Sequence, residues 1–120
     1  MPTAEKGNPH LKILIKELQE TSHKNSAPIW KDVAETIEGP RRHWAEVNVD
    51  HIAQHLKEGE VGLVPGKILG GGDIDRKVTV AGLMCSISAR KKIEAAGGKV
   101  ITFNQLMKSN PKGSNIRILG

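Results

Sequence analysis

The sequence of 120 residues predicts one α/β domain in which a helical hairpin is followed by strand–strand–helix units. Two patterns predict this class. In the first third of the chain, apolar residues recur at the spacing of a helix face, whereas from Trp44 onwards short runs alternate between apolar and polar residues. The length suits one domain, and 38% hydrophobic with 26% charged residues excludes a disordered or fibrous protein.

The helical hairpin is predicted over residues 11–39, after a flexible N-terminus at residues 1–10. Asn8 is suited to cap the first helix, and Pro9 to occupy its first position, where the missing N–H costs nothing. A polar break over residues 22–27 separates this helix from the next one.

The second helix of the hairpin is predicted to begin near Pro28. Gly39 is expected to end it in the left-handed conformation that glycine adopts without strain, and Pro40 cannot continue it. Residues 40–120 are then expected to form the strand–strand–helix units.

Short strands are predicted on both sides of a glycine-rich stretch. Val61–Val64 reads as a strand that ends in a turn at Pro65–Gly66, and Leu83–Cys85 ends a central, buried strand. In that strand, Cys85 is expected to be a buried packing thiol rather than a nucleophile.

Two later helices have recognisable starts. Ser86 or Ser88 is suited to cap the first of them. Thr102 with Gln105 has the spacing of a capping box ahead of the second.

Composition excludes several classes of protein. The single cysteine excludes an intramolecular disulfide framework and a cysteine-based zinc site, and it favours a reducing compartment. No apolar run approaches the roughly 20 residues of a membrane helix, and the N-terminus lacks the core of a signal peptide. We therefore expect a soluble, intracellular protein with no membrane partner.

The positive charge is concentrated in the second half of the chain. The formal net charge is +5, but residues 1–60 hold eight Lys/Arg and ten Asp/Glu, whereas residues 61–120 hold ten Lys/Arg and three Asp/Glu. Such asymmetry favours one face that meets a polyanion. Solubility alone would not require it.

The glycine-rich stretch at residues 65–72 fails as a nucleotide-binding loop. A Walker A loop needs Gly where Val61 stands and Ser or Thr where Ile68 stands. Gly70, Gly71 and Gly72 nevertheless allow a backbone to approach a phosphate closely. A plain surface turn is the alternative interpretation.

Enzyme motifs receive no specific support. His51 and His55 have the i, i+4 spacing of two metal ligands, but Ile52 stands where an H-E-x-x-H site needs glutamate. They are interpreted as exposed helix histidines. The sequence therefore predicts no enzyme, no cofactor, no metal and no small-molecule substrate, with a small metal-dependent hydrolase as a remote alternative.

Two basic clusters are better candidates for function. Arg41 and Arg42 precede His43 and Trp44, and an arginine can bind phosphate through two parallel hydrogen bonds. Trp44 either stacks on an exposed base or packs in the core.

The second cluster, Arg90–Lys92, lies at a predicted helix N-terminus. Cations are disfavoured there by the helix dipole, whereas the free backbone N–H groups attract anions. An external phosphate would offset the charge of this cluster.

Three segments, in order and with their spacing kept, resemble a known family. They are Pro40–Val49, Val64–Gly70, and the C-terminal block from Gly97–Leu106 to Asn110–Gly113. They are similar to the archaeal and eukaryotic large-subunit ribosomal protein family L-eighteen-e, a relative of the bacterial family L-fifteen. The resemblance implies an irregular β-β-α superhelix with short strands.

The resemblance also implies a structural constituent of the cytoplasmic ribosome that binds large-subunit ribosomal RNA and neighbouring ribosomal proteins, and that supports assembly and translation. Because the chain lacks the basic C-terminal extension of eukaryotic members, we expect an archaeal type. The remaining alternative is a non-ribosomal nucleic-acid-binding or interaction module.

From the resemblance and the basic clusters together, we predict sixteen RNA-binding residues. They are Arg41, Arg42, His43, Lys67, Gly70, Gly71, Gly72, Arg76, Lys77, Ser88, Arg90, Lys91, Lys92, Lys108, Lys112 and Arg117.

Overall fold

A parallel sheet of five short strands lies between helices on both of its faces in the computed structural model, which describes residues 9–120. The helices are α1 (Pro9–Asn25), α2 (Pro28–Glu38), α3 (Val49–His55), α4 (Ile87–Ala95) and α5 (Phe103–Ser109), with a 3-10 turn at Arg41–His43. The strands are β1 (Ala45–Asn48), β2 (Val61–Leu69), β3 (Thr79–Cys85), β4 (Lys99–Ile101) and β5 (Ile116–Ile118). The predicted α/β class is confirmed.

Strand β2 is the centre of the sheet. One of its edges pairs with β3, which in turn pairs with β4. Its other edge is shared, since β5 pairs with the first half of β2 from Val61, and β1 pairs with the second half from Gly66. All four pairings are parallel, so every strand ends towards the same edge of the sheet.

The turn predicted at Pro65–Gly66 is wrong. Strand β2 continues through both residues, and its register with β3 shifts between Val64 and Lys67. Proline has no N–H for the ladder, so a bulge is where a central strand tolerates it. Gly66 is required by close approach, because a Cβ there would overlap the backbone of Ala45.

Side chains alternate along β2 between two apolar clusters. Leu63 packs with Trp30, Trp44 and Phe103 beneath α1, α2 and α5. Its neighbour Val64 packs in the other cluster, beneath α3 and α4. Because successive residues of a strand point to opposite faces, the two clusters lie on opposite faces of the sheet. A parallel sheet is normally covered on both faces in this way.

The two tryptophans connect distant parts of the chain. The indole Nε1 of Trp30 donates a 2.8 Å hydrogen bond to the carbonyl oxygen of Pro111. That of Trp44 donates a 3.3 Å bond to the carbonyl oxygen of Ile37. Trp44 is buried, which decides between its two interpretations in favour of core packing.

The hairpin differs from its prediction at both helix ends. Helix α1 extends through most of the predicted polar break and ends at Asn25, where Ser26 takes a positive φ of 50°. The N–H of Ala27 then bonds to the carbonyl oxygen of Ser22, which closes a Schellman motif. At the end of α2, the left-handed conformation predicted for Gly39 is wrong, since its φ of −71° is extended.

The start of α1 at Pro9 agrees with the prediction, so residues 9 and 10 belong to the helix. The predicted cap Asn8 and the remainder of the predicted flexible N-terminus lie outside the described residues. Within residues 9–120, no helix has both the length and the hydropathy needed to cross a membrane.

Both predicted caps of the later helices are confirmed. The Ser86 hydroxyl accepts a hydrogen bond from the N–H of Ala89 at the start of α4. Thr102 and Gln105 form the reciprocal capping box of α5. Ser86, rather than Ser88, is therefore the cap of α4.

Candidate RNA interface

The predicted residues fall on two opposite edges of the sheet. We call the edge where the strands end the carboxyl edge, and the edge where they begin the amino edge. Gly70–Gly72 follow β2 directly, and Ser88 lies in the first turn of the helix that follows β3. Ligands of open parallel sheets bind outside the carboxyl ends of the strands. The carboxyl edge is therefore the first candidate interface.

The glycine segment is held between two helix starts. The N–H of Gly71 donates a 2.9 Å hydrogen bond to the Oδ1 atom of Asn48, the residue that precedes α3. A Cβ at Gly70 would overlap the Ser88 hydroxyl, and one at Gly72, whose φ is +79°, would overlap Asp50. The three glycines are thus required by packing, and the segment is not a plain surface turn.

Lys92 binds the backbone of this segment through its ammonium group. Its Nζ atom donates a 2.8 Å hydrogen bond to the carbonyl oxygen of Gly70 and a second bond to that of Gly72. The Asp73 carboxylate lies 3.9 Å from the same Nζ atom. Lys92 therefore positions the glycine backbone, a role that sequence reasoning missed.

The position predicted for the Arg90–Lys92 cluster, at the helix N-terminus, is wrong: α4 begins at Ile87, so Arg90 and Lys91 lie in its middle and Lys92 in its last turn. Arg90 and Lys91 are exposed. Arg90 lies 3.8 Å from Glu94 in an i, i+4 pair whose side chains are both more than half exposed. Lys91 has no hydrogen-bond or ion-pair partner within residues 9–120. An exposed ion pair contributes little to stability, so Arg90 can leave Glu94 to bind a phosphate. Lys91 can bind a phosphate without breaking any contact.

The Arg41 side chain reaches the same half of the sheet. Its guanidinium lies 5.6 Å from the ring centroid of Trp44, and its Nη2 atom is 3.9 Å from the sulfur of Met84 near the end of β3. Lys67 lies beside Met84 in the sheet, and its side chain has no polar partner in the described part of the chain. Arg42 and His43 are exposed in the 3-10 turn.

Five predicted residues lie towards the amino edge instead. Arg76 and Lys77 precede β3, whereas Lys108 and Lys112 belong to the last turn of α5 and the loop that leads to β5. The N–H of Val61 at the start of β2 bonds to Asn115, which places that loop at this edge. The fifth residue, Arg117, lies in β5 and its guanidinium turns to this edge.

Arg117 forms a salt bridge with Glu60, the residue before β2. Its Nε and Nη2 atoms donate to the two carboxylate oxygens of Glu60 at 2.8 and 3.1 Å. These hydrogen bonds hold the pKa of Glu60 below its ordinary value and raise that of Arg117. The pair ties β5 to β2, so Arg117 has a structural partner.

Sequence reasoning did not select Lys57 and Lys99, which also lie at the amino edge. Lys57 lies between α3 and β2, and Lys99 begins β4, where it pairs with Thr79 at the start of β3. The signal was available, since the amino ends of adjacent parallel strands meet at one edge. A prediction of strand order would have grouped these two lysines with Lys77.

The remaining chemical candidates form no catalytic arrangement. The rings of His51 and His55 stack with centroids 4.0 Å apart. Within residues 9–120, no third His, Cys, Asp or Glu joins them as a possible metal ligand. Cys85 is only partly buried, which corrects the prediction of a buried thiol, but this burial still raises its pKa and disfavours a reactive thiolate.

Comparisons with known proteins show the family of this chain. The family model described as "Ribosomal protein 60S L18 and 50S L18e" matches residues 2–120. The large ribosomal subunit protein eL18 of Methanococcus maripaludis is 49% identical over 112 residues, which cover 93% of each chain.

Two further archaeal relatives are equally similar. The protein of the same name from Methanoregula boonei is 48% identical over 117 residues, covering 98% of this chain and 97% of the relative. That of Archaeoglobus fulgidus is 48% identical over 114 residues, covering 95% and 97%. These matches confirm the resemblance seen in the sequence and the prediction of no enzyme: the chain belongs to the L18 and L18e family of ribosomal proteins, which are structural proteins rather than enzymes.

Proposed function

We propose that this protein is a structural constituent of the large ribosomal subunit in the cytoplasm, where its 120 residues act as one domain that binds large-subunit ribosomal RNA and supports assembly and translation. The observation that carries the proposal is the carboxyl edge: a glycine segment fastened by Lys92 lies beside the exposed cations of α4. The family membership supports the ribosome as its location.

The carboxyl edge suits phosphate and ribose rather than bases. Three glycines without side chains bring backbone close to the surface, and Lys67 in β2 and the exposed Lys91 in α4 supply positive charge. Trp30, Trp44 and Phe103 are buried, so no tryptophan or phenylalanine ring is exposed for stacking on bases among residues 9–120. Recognition of the RNA by its shape follows from this.

A filter-binding assay with large-subunit ribosomal RNA tests the proposal. Reversing two charges in the middle of α4 (Arg90→Glu with Lys91→Glu) should weaken binding strongly. The slope of log K against log salt should also fall by roughly 0.7–0.9 for each phosphate that the variant no longer neutralises. The matched control reverses two exposed charges on α1 (Lys12→Glu with Lys16→Glu) and should bind as the unmodified protein does. Equally weakened binding in both variants would remove the localised interface.

A sedimentation experiment separates the ribosomal role from a general nucleic-acid binder. The protein should travel with large subunits through a sucrose gradient at high salt, and it should bind ribosomal RNA better than duplex DNA at equal ionic strength. Equal binding to both nucleic acids, with release from subunits at high salt, would contradict the proposed function.

A further inference from the structure

The amino edge carries cations that the carboxyl-edge interface cannot use. Strand β2 spans nine residues from one edge to the other, which corresponds to about 30 Å. Screening by salt limits the distance over which an exposed charge acts to about 8–10 Å at physiological ionic strength. A phosphate held at Gly70–Gly72 is therefore out of reach of Lys77 and Lys99.

These cations surround a cleft of about 670 Å³ between the starts of β2 and β3. Lys57, Arg76 and Lys77 line it together with Glu60 and the hydroxyl-bearing Thr79. Lys99 adjoins it through its pairing with Thr79. The cleft thus has a basic rim and hydrogen-bonding groups, which suits a sugar–phosphate chain.

The acidic groups of this edge do not cancel the charge. The Glu60 carboxylate accepts hydrogen bonds from the Nε and Nη2 atoms of Arg117 and from the backbone N–H of Lys57. Glu58 also lines the cleft and Asp75 adjoins Arg76, so with Glu60 there are three carboxylates at this edge, against the five cations Lys57, Arg76, Lys77, Lys99 and Arg117. The formal charge of the cleft and its rim is therefore positive.

Arg76 is held in place for an anion. Its Nη1 atom donates a 2.9 Å hydrogen bond to the carbonyl oxygen of Ala53, in the last turn of α3. The helix dipole favours a cation at that end of a helix. Because the contact is to a backbone carbonyl oxygen, it holds the Arg76 side chain without a carboxylate that would compete with phosphate for the guanidinium. The remaining guanidinium donors have no partner within the described residues, and a planar guanidinium whose position is already set loses little entropy on binding phosphate.

The exposed apolar residues lie elsewhere. Among residues 9–120, the exposed large apolar side chains are Ile13, Met84, Ile87 and Ile118, and none of them lines the cleft. The centres of protein interfaces are apolar and aromatic, with charged residues depleted. A polyanion therefore fits this surface better than a protein partner does.

We propose that the amino-edge cleft binds a second segment of ribosomal RNA, so that the protein bridges two RNA segments through opposite edges of its sheet. The inference rests on the proposed function, because it assumes that the carboxyl edge binds RNA. Lys57 and Lys99 join Arg76 and Lys77 as contacts of the second segment.

Site-directed cross-linking tests the bridge. In a Cys85→Ser background, a photoactivatable aryl azide is attached to Lys77→Cys, Lys91→Cys or, as control, Lys16→Cys on α1. Each protein is reconstituted with large-subunit ribosomal RNA and proteins from archaeal ribosomes, and the cross-linked nucleotides are mapped by reverse transcription. We expect positions 77 and 91 to cross-link to two separate RNA segments, with position 16 at background.

The outcomes separate the two proposals. The bridge is overturned, and the proposed function stands, if position 91 cross-links to RNA but position 77 does not cross-link to a separate RNA segment. Position 77 would then show only background, or cross-link to the same nucleotides as position 91 or to a ribosomal protein. If neither position reaches RNA, the proposed function itself fails. Salt slopes provide a second measurement: Lys77→Glu with Lys99→Glu should lower the slope by roughly 1.4–1.8, because two phosphates are no longer neutralised, and an unchanged slope contradicts the second surface.

Discussion

The Lys92 ammonium group and the Gly70 carbonyl oxygen lie 2.8 Å apart, although 22 residues separate them in the chain. The same ammonium also binds the carbonyl oxygen of Gly72. A lysine of α4 therefore sets the shape of the backbone that we propose as the centre of the RNA interface. This internal contact gives Lys92 a different role from its neighbour Lys91.

Replacing Lys92 by methionine should loosen the glycine segment. Loss of two hydrogen bonds from a charged donor is expected to lower the free energy of unfolding by about 1–2 kcal/mol. Hydrogen exchange should accelerate at the amides of residues 70–73. The control Lys91→Met should weaken RNA binding without changing exchange there, and equal exchange in both variants would contradict the positioning role.

Replacing Ser26 by glycine should stabilise the hairpin. Ser26 holds a positive φ of 50° at the end of α1, a conformation that costs less for glycine than for residues with a Cβ. We expect a gain of about 0.5–1 kcal/mol in urea unfolding. The matched change Ser22→Gly lies inside the helix and should lose about 0.5 kcal/mol, so a gain there, or a loss at Ser26, would refute the explanation.

Replacing Gly66 by alanine should damage the centre of the sheet. A Cβ would overlap the backbone of Ala45, which cannot move without breaking the pairing of β1 with β2. We expect a loss of at least about 2 kcal/mol. Gly39→Ala is the control, since its φ of −71° suits alanine and its nearest contact is 3.4 Å. Similar thermal midpoints for the two variants would argue against the close approach.

The Glu60–Arg117 pair should make stability depend on pH. The folded protein holds the pKa of Glu60 below its ordinary value of 4.5, so the stabilisation is complete above that value and disappears as the pH falls through the lowered pKa. The thermal midpoint of Glu60→Gln should lie below that of the unmodified protein at neutral pH, and the gap should close in acid. The exposed neighbour Glu58→Gln should show no such gap, and a gap that widens in acid would contradict the pairing.

Local chemistry made several elements predictable. Ser86, Thr102 and Gln105 cap their helices through contacts within three residues, and the apolar spacing of α1 and α2 predicted the hairpin. Errors arose where a distant segment decides the local structure. The continuation of β2 through Pro65–Gly66 depends on β1 and β3, which lie alongside it.

The sequence by itself determined the α/β class, the capped helices, the excess of cations after residue 60 and the family to which the chain belongs. The tertiary structure alone decided that these cations divide between two edges of one parallel sheet, and that Lys92, Arg76 and Arg117 bind partners within the protein. The physical reason is that charge and capping are properties of residues and their near neighbours. The edge on which a side chain lies is decided by strand order and by contacts between residues far apart in the chain, such as Arg117 with Glu60.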